Sequence, residues 1–239
     1  MRLGILQAGE INPEMKAGLP SYRDMYDALF SSPDVELTYF QVMTNEFPDS
    51  VTACDAYIVT GSPAGVYDEF DWIPALMDFI RDAYNAGQQL VGICFGHQVI
   101  AEALGGKAEK SDKGWGVGVR TVAINDHGGL IPKDHDDISL LYMHQDQVVE
   151  TPPGAEVLAG DSFCPIAAYK IGEQVLCMQG HPEFTPEVIA GILDFRRDVI
   201  GDDRVRQGHD SLKTPHQGKD VGQWFKTFFH SNKFFSTHS

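Results

Sequence analysis

Short, nearly unbroken apolar runs alternate along the first part of the chain with stretches whose apolar positions recur every three or four residues. RLGILQA (2–8), VELTYFQV (35–42), AYIVT (56–60) and QLVGI (89–93) predict strands. Ser21 opens SYRDMYDALF with Asp24 in the third position after it, a capping-box-like helix start. Asp71 predicts the cap of a helix through WIPALMDFIRDAYNA, which Gly87 ends. HQVIAEAL (97–104) predicts a helix that stops at Gly105-Gly106. Strand and helix in alternation imply a parallel sheet with helices on both faces.

The middle of the chain changes character. Residues 117–124, 155–159, 165–171 and 174–179 read as strands with little helix between them, which predicts an antiparallel extension of the sheet. A helix returns after Thr185, with Pro186 at the favoured first position, and runs to Gly201. Residues 202–217 are polar and predict irregular structure, and VGQWFKTFF (221–229) predicts a short aromatic helix docked on the core. No repeat, low-complexity tract or linker interrupts the sequence, so one domain over 1–239 is expected.

Composition narrows the function classes. Hydrophobic residues are 43% of the chain, ample for a core, and no apolar run approaches a membrane span of about 20 residues. The opening MRLGILQAGEI reads as a first strand rather than an export signal. A formal net charge of −16 repels phosphate backbones and anionic lipid, so neither nucleic acid nor a membrane is expected as a partner. Cysteines stand at 54, 94, 164 and 177 with no CxxC pair, and His135, His209 and His216 show no ligand spacing, so no metal site is indicated. Scattered cysteines without an export signal fit a cytoplasmic location.

Chemistry concentrates in two segments. Gly92-Ile93-Cys94-Phe95-Gly96 sits between the strand QLVGI and the helix HQVIAEAL. Glycine two residues either side of a nucleophile is what a tight strand-to-helix elbow requires. Such a turn holds the thiol out over the sheet edge, and the helix N-terminus favours negative charge on sulfur. Alone, the pattern fits a buried cysteine equally well. Gly180-His181-Pro182-Glu183 follows the strand VLCMQ. Pro182 favours extended backbone at His181, and side chains two apart on an extended chain share a side. Glu183 can then orient the His181 imidazole, and His181 can take the Cys94 proton. An oxyanion hole would draw on the Phe95 N–H and on a donor from Thr60-Gly61-Ser62-Pro63, where proline leaves Ser62 or Gly61.

Together these segments resemble the class I, triad-type glutamine amidotransferases, most closely the amidotransferase domain of GMP synthase and stand-alone proteins like it. GICFGHQ is similar to that family's elbow, GHPEF to its His–Glu segment, TGSPAGVYD (60–68) to its glycine-rich loop and YMHQDQV (142–148) to its S-H-x-D-x-V segment. The resemblance covers about residues 54–196 in order. It implies an α/β, flavodoxin-like fold, and a Cys94–His181–Glu183 triad with Ser62 and Phe95 as oxyanion donors. Gln98 and the segment His144-Gln145-Asp146 would hold the amino and carboxylate groups of glutamine. The chain departs from the family pattern at Gly61-Ser62, Met143 and Gln145, which bears on the amino-acid contacts.

The expected chemistry is cleavage of the glutamine side-chain amide, or of a similar γ-glutamyl bond, through a thioester and without cofactor or metal. Nothing in the sequence resembles an ATP-pyrophosphatase or acceptor domain. Two enzymatic readings follow: a glutaminase subunit feeding ammonia to a separate synthetase, and a free-standing γ-glutamyl hydrolase or peptidase. A third, a non-enzymatic binding or regulatory protein on the same fold, leaves the elbow without a use. His97 is expected to begin its helix rather than act as base, and Cys54, Cys164 and Cys177 to lie in the core. Tyr67, Trp72 and Trp115 fit either a pocket wall or ordinary packing.

Overall fold

The computed structural model describes residues 1–15 and 18–231. The apolar runs form the middle of a nine-stranded sheet. β1 (Arg2–Leu6), β2 (Glu36–Phe40), β3 (Ala56–Val59), β4 (Gln89–Ile93) and β11 (Val175–Met178) are parallel, in the order β2-β1-β3-β4-β11. β3, β4 and β11 are buried at every position, as strands covered on both faces must be. The antiparallel extension continues through β10 (Ala168–Ile171), β9 (Glu156–Gly160), β6 (Gly116–Ile124) and β7 (Asp137–His144). β5 (Lys107–Lys110) and β8 (Asp146–Glu150) pair separately.

Each face of the sheet carries its own apolar cluster. α2 (Trp72–Asn85) and α3 (Phe95–Ala103) cover one face with Trp72, Leu76, Ile80 and Val99. The other face is covered by α1 (Tyr22–Phe30), α4 (Pro186–Phe195), α6 (Asp202–Ser211) and α7 (Gly218–Ser231), with a short α5 (Arg197–Ile200) between α4 and α6. α1 shows why its sequence is a helix that belongs here. Ser21 and Asp24 close a complete capping box, and Tyr22, Tyr26 and Phe30 recur at i, i+4, i+8 on the buried side. Their rings stack at 6.2 and 6.0 Å, and Phe30 continues onto Phe225 of α7 at 6.3 Å. Burying each such ring contributes about 1.5–3 kcal/mol. No helix among the described residues is long and apolar enough to cross a membrane.

The structure corrects several expectations. Residues 202–211, expected irregular, form α6: only Val205 and Gly208 are buried, too few to mark a period, yet they dock the helix on β6. Asp71 does not cap α2 with its side chain, because its own backbone is already helical at φ −57°, ψ −28°. The helix after Thr185 breaks at Arg196 into α4 and α5. The final helix begins at Gly218, ahead of the expected 221. β5, β7 and β8 were not anticipated.

Candidate active site

β4 ends at Ile93 and α3 begins at Phe95, so Cys94 alone makes the turn. Its backbone sits at φ 54°, ψ −102°, a strained conformation for a residue with a side chain. Such strain costs about 1–3 kcal/mol and persists only where the surroundings enforce it. The Cys94 N–H bonds to Met178 O at 2.9 Å, which ties the elbow to the end of β11. The glycines are required by close approach. A Cβ at Gly92 would lie 2.5 Å from Gly96 O, and one at Gly96 would collide with the Val59 carbonyl of β3.

His181 arrives just past β11. Its N–H bonds to Leu141 O of β7 at 2.8 Å, an isolated bridge that fixes the backbone. His181 Nδ1 and Glu183 Oε1 are 2.7 Å apart, and both residues are buried. Glu183 Oε2 has no hydrogen-bond partner among the described residues, so the imidazole and the Tyr26 hydroxyl, donating to Oε1 at 3.5 Å, carry the compensation for that carboxylate. Burial disfavours the imidazolium, but the charges of Glu183 and Cys94 and the hydrogen bonds to both outweigh it, and the His181 pKa stands raised from 6.5 to about 10. The site therefore favours a protonated imidazole beside sulfur.

The loop after β3 lies against this pair. A Cβ at Gly61 would come 2.8 Å from His181 Cε1, so the histidine occupies the space a side chain there would need. Among the described residues, none accepts a hydrogen bond from the N–H groups of Gly61, Ser62 or Phe95. They are unpaired donors, and Ser62 borders the same cavities as Cys94, which is compatible with the oxyanion hole expected from the sequence.

The expected amino-acid contacts line one wall. Gln98, His144, Gln145 and Asp146 border a cavity of about 210 Å³ that reaches Cys94. Gln98 Nε2 donates to Asp146 O at 2.9 Å and to Gln179 Oε1 at 3.0 Å, so it braces this wall as well as facing the cavity. His144 Nδ1 lies 2.9 Å from Asp146 O, and burial lowers its pKa to about 4. Burial raises the Asp146 carboxyl despite its hydrogen bond to Tyr67.

Tyr67 and Trp115 border the same cavity, whereas Trp72 is buried against Phe95 and covered from outside by the exposed Phe70. Cys54, Cys164 and Cys177 are buried and free. His97 is buried against Tyr169, and its pKa is lowered by burial to about 3, so it is no base at neutral pH. Sequence reasoning missed Lys110 and Arg196, which border the cavity, and Tyr22, Tyr26 and Phe184, which pack around the His181–Glu183 pair. The i, i+4 aromatic spacing in α1 was the one available signal for the tyrosines.

Sheet, elbow and His–Glu segment define a class that the comparisons bear out. The family model for Glutamine amidotransferase class-I matches residues 24–193, and the chain belongs to that family. Gamma-glutamyl peptidase 3 of Arabidopsis thaliana is 29% identical over 72% of this chain and 73% of its own. GMP synthase of Leifsonia xyli subsp. xyli is 34% identical over 57% of this chain and 28% of its own. A solved glutamine amidotransferase from Thermotoga maritima, 16% identical, superimposes with a TM-score of 0.76 over 96% of this chain and 98% of that one, which establishes the likeness of fold.

Proposed function

We propose that this chain hydrolyses the amide bond of γ-glutamyl compounds through a thioester on Cys94. The observation that carries the reading is the strained elbow cysteine set beside a buried His181–Glu183 pair at 2.7 Å, with unpaired N–H donors at Phe95 and Ser62. Cys94 Sγ attacks the γ-carbonyl. The N–H groups of Phe95 and of Ser62 or Gly61 hold the oxyanion, and His181 protonates the departing nitrogen. Water, deprotonated by His181, then releases glutamate and the thiol. Glu183 holds the imidazole in one orientation throughout. Gln98, His144, Gln145 and Asp146 form the wall that receives the glutamyl head group.

Free-standing hydrolysis is preferred to ammonia delivery. The relative named a gamma-glutamyl peptidase aligns over most of its length, whereas the GMP synthase aligns over 28% of its own. Delivery of ammonia to a separate synthetase is the second reading, favoured by the family itself. The sheet draws on strands from β1 to β11, which supports one amidotransferase-like unit over 1–239, and four free cysteines fit the reducing cytoplasm. The test is covalent trapping with a glutamine-like diazo-ketone followed by peptide mapping. The label is expected on Cys94, with Cys94→Ser unlabelled and its turnover reduced about 10⁴-fold or more. Label on Cys54, Cys164 or Cys177 would overturn the assignment.

A further inference from the structure

Two cavities meet at the Cys94 thiol. The first, about 210 Å³, is the one bordered by Gln98, Lys110 and Asp146. The second, about 250 Å³, is walled by Ile11, Met15, Tyr22, Phe184, Ile192 and Phe195. Ser62, Pro63, Met143 and Arg196 border both, so the thiol sits at their junction. His181 borders the second and not the first.

This division assigns the two halves of a substrate. The first lobe offers carboxylates (Asp68, Asp146), amides (Gln98, Gln145) and cationic groups (Lys110, Arg196), which match the charged head of a glutamyl group. Cleavage breaks the γ-carbon–nitrogen bond as the sulfur–carbon bond forms, and the nitrogen leaves with a proton from His181. A general acid must reach the nitrogen it protonates. The leaving amine therefore lies in the lobe that His181 borders; away from the junction its wall is mainly hydrocarbon and aromatic, with Glu10 and Asn12 as polar exceptions, while Ser62, His181 and Arg196 are polar groups at or beside the junction itself. Ammonia would leave this apolar surface to water, whereas an apolar side chain would displace that water favourably.

We propose that the second lobe binds the leaving group, and that the physiological leaving group is an amine carrying an apolar or aromatic side chain. The proposal rests on the hydrolase reading above and names its substrate class. The experiment is glutamate release, as kcat/KM, from glutamine, γ-Glu-Gly, γ-Glu-Lys, γ-Glu-Leu and γ-Glu-Phe. γ-Glu-Leu and γ-Glu-Phe are expected to exceed glutamine and γ-Glu-Gly by about tenfold or more, the scale of discrimination an apolar pocket supplies. Phe195 is half-exposed and tolerates change, so Phe195→Ser is expected to reduce the γ-Glu-Phe to γ-Glu-Gly ratio several-fold. Glutamate release at equal rates from all five, or best from glutamine or γ-Glu-Lys, overturns the lobe assignment and leaves the hydrolase reading standing. A wild-type ratio unchanged in Phe195→Ser also overturns it. No glutamate from any of them overturns both.

Discussion

The His181 imidazole and the Phe184 ring lie in nearly parallel planes, 4° apart in tilt with centroids 3.9 Å apart. Glu183 fixes how the imidazole turns within its plane, and Phe184 fixes the plane. Phe184 is itself held edge-on by Tyr22 at 6.1 Å, so α1 supports the histidine through one intermediate ring. Phe184→Leu keeps apolar volume and loses the flat face. It is expected to lower kcat about tenfold with little change in KM, because small misplacements of a reacting group are costly. Phe184→Tyr is expected to restore most of the rate. Steady-state kinetics on a γ-glutamyl peptide checks this. Equal losses in Phe184→Leu and Phe184→Tyr would show that the face is not what matters.

What the sequence made legible here was what is enforced locally. The elbow could be read because its glycines answer to backbone contacts within a few residues and one neighbouring strand. The His181–Glu183 pair could be read because Pro182 settles the geometry between them. Phe184 received no role, since a stack against its near neighbour leaves no periodic mark. α6 was missed because eight of its ten positions are not buried. β7 was missed as a strand because its burial is nearly continuous toward the site, without the alternation that announces a half-exposed strand. Arg196 and Lys110 reach the cavity through long-range packing, which a single sequence does not encode in any local pattern.

Glu183 and His181 should separate in their kinetics. His181→Ala removes the proton carrier and is expected to cost about 10⁴-fold in kcat/KM, whereas Glu183→Gln keeps a hydrogen-bonding partner and costs about 10²-fold. In the wild type burial opposes the imidazolium, and the Glu183 charge is the largest effect that overcomes it. Glu183→Gln therefore lowers the His181 pKa from about 10, by roughly 1–3 units. The alkaline limb of the pH–rate profile should move the same way. An unmoved limb, or equal losses from the two variants, would show the roles to be misassigned.

The close approach at Gly96 predicts a stability defect rather than a catalytic one at its root. Gly96→Ala drives a methyl into the Val59 carbonyl, and backbone on both sides cannot yield easily. A loss of about 3 kcal/mol or more in unfolding free energy is expected. Gly154→Ala is the reference: its φ is 78° but nothing lies within 4 Å of an added Cβ, so only the backbone cost of about 1–2 kcal/mol applies. Urea denaturation of both variants checks the order, and a Gly96→Ala loss no larger than that of Gly154→Ala would refute the packing argument.

The buried histidines predict a stability maximum near neutral pH, with a different cause on each side. His97 and His144 are held by burial at pKa values of about 3 and about 4, against 6.5 for an unperturbed imidazole. Below pH 6.5 the unfolded chain takes up protons at both positions while the folded chain does not. Stability is therefore present above 6.5 and falls as pH drops toward 4, by up to about 1.4 kcal/mol per pH unit for each histidine. His181 acts with the opposite sign. Its folded pKa of about 10 lies above the unfolded value, so its contribution is complete below 6.5 and is lost as pH rises through about 10. It adds no slope on the acid side. His97→Leu should then reduce the slope of unfolding free energy between pH 6 and pH 5 by up to about 1.4 kcal/mol per unit, whatever its effect at pH 7, and leave the alkaline side unchanged. Urea denaturation at stepped pH measures both slopes. An acid slope that His97→Leu leaves intact would mean that His97 titrates in the folded protein as it does in the unfolded chain.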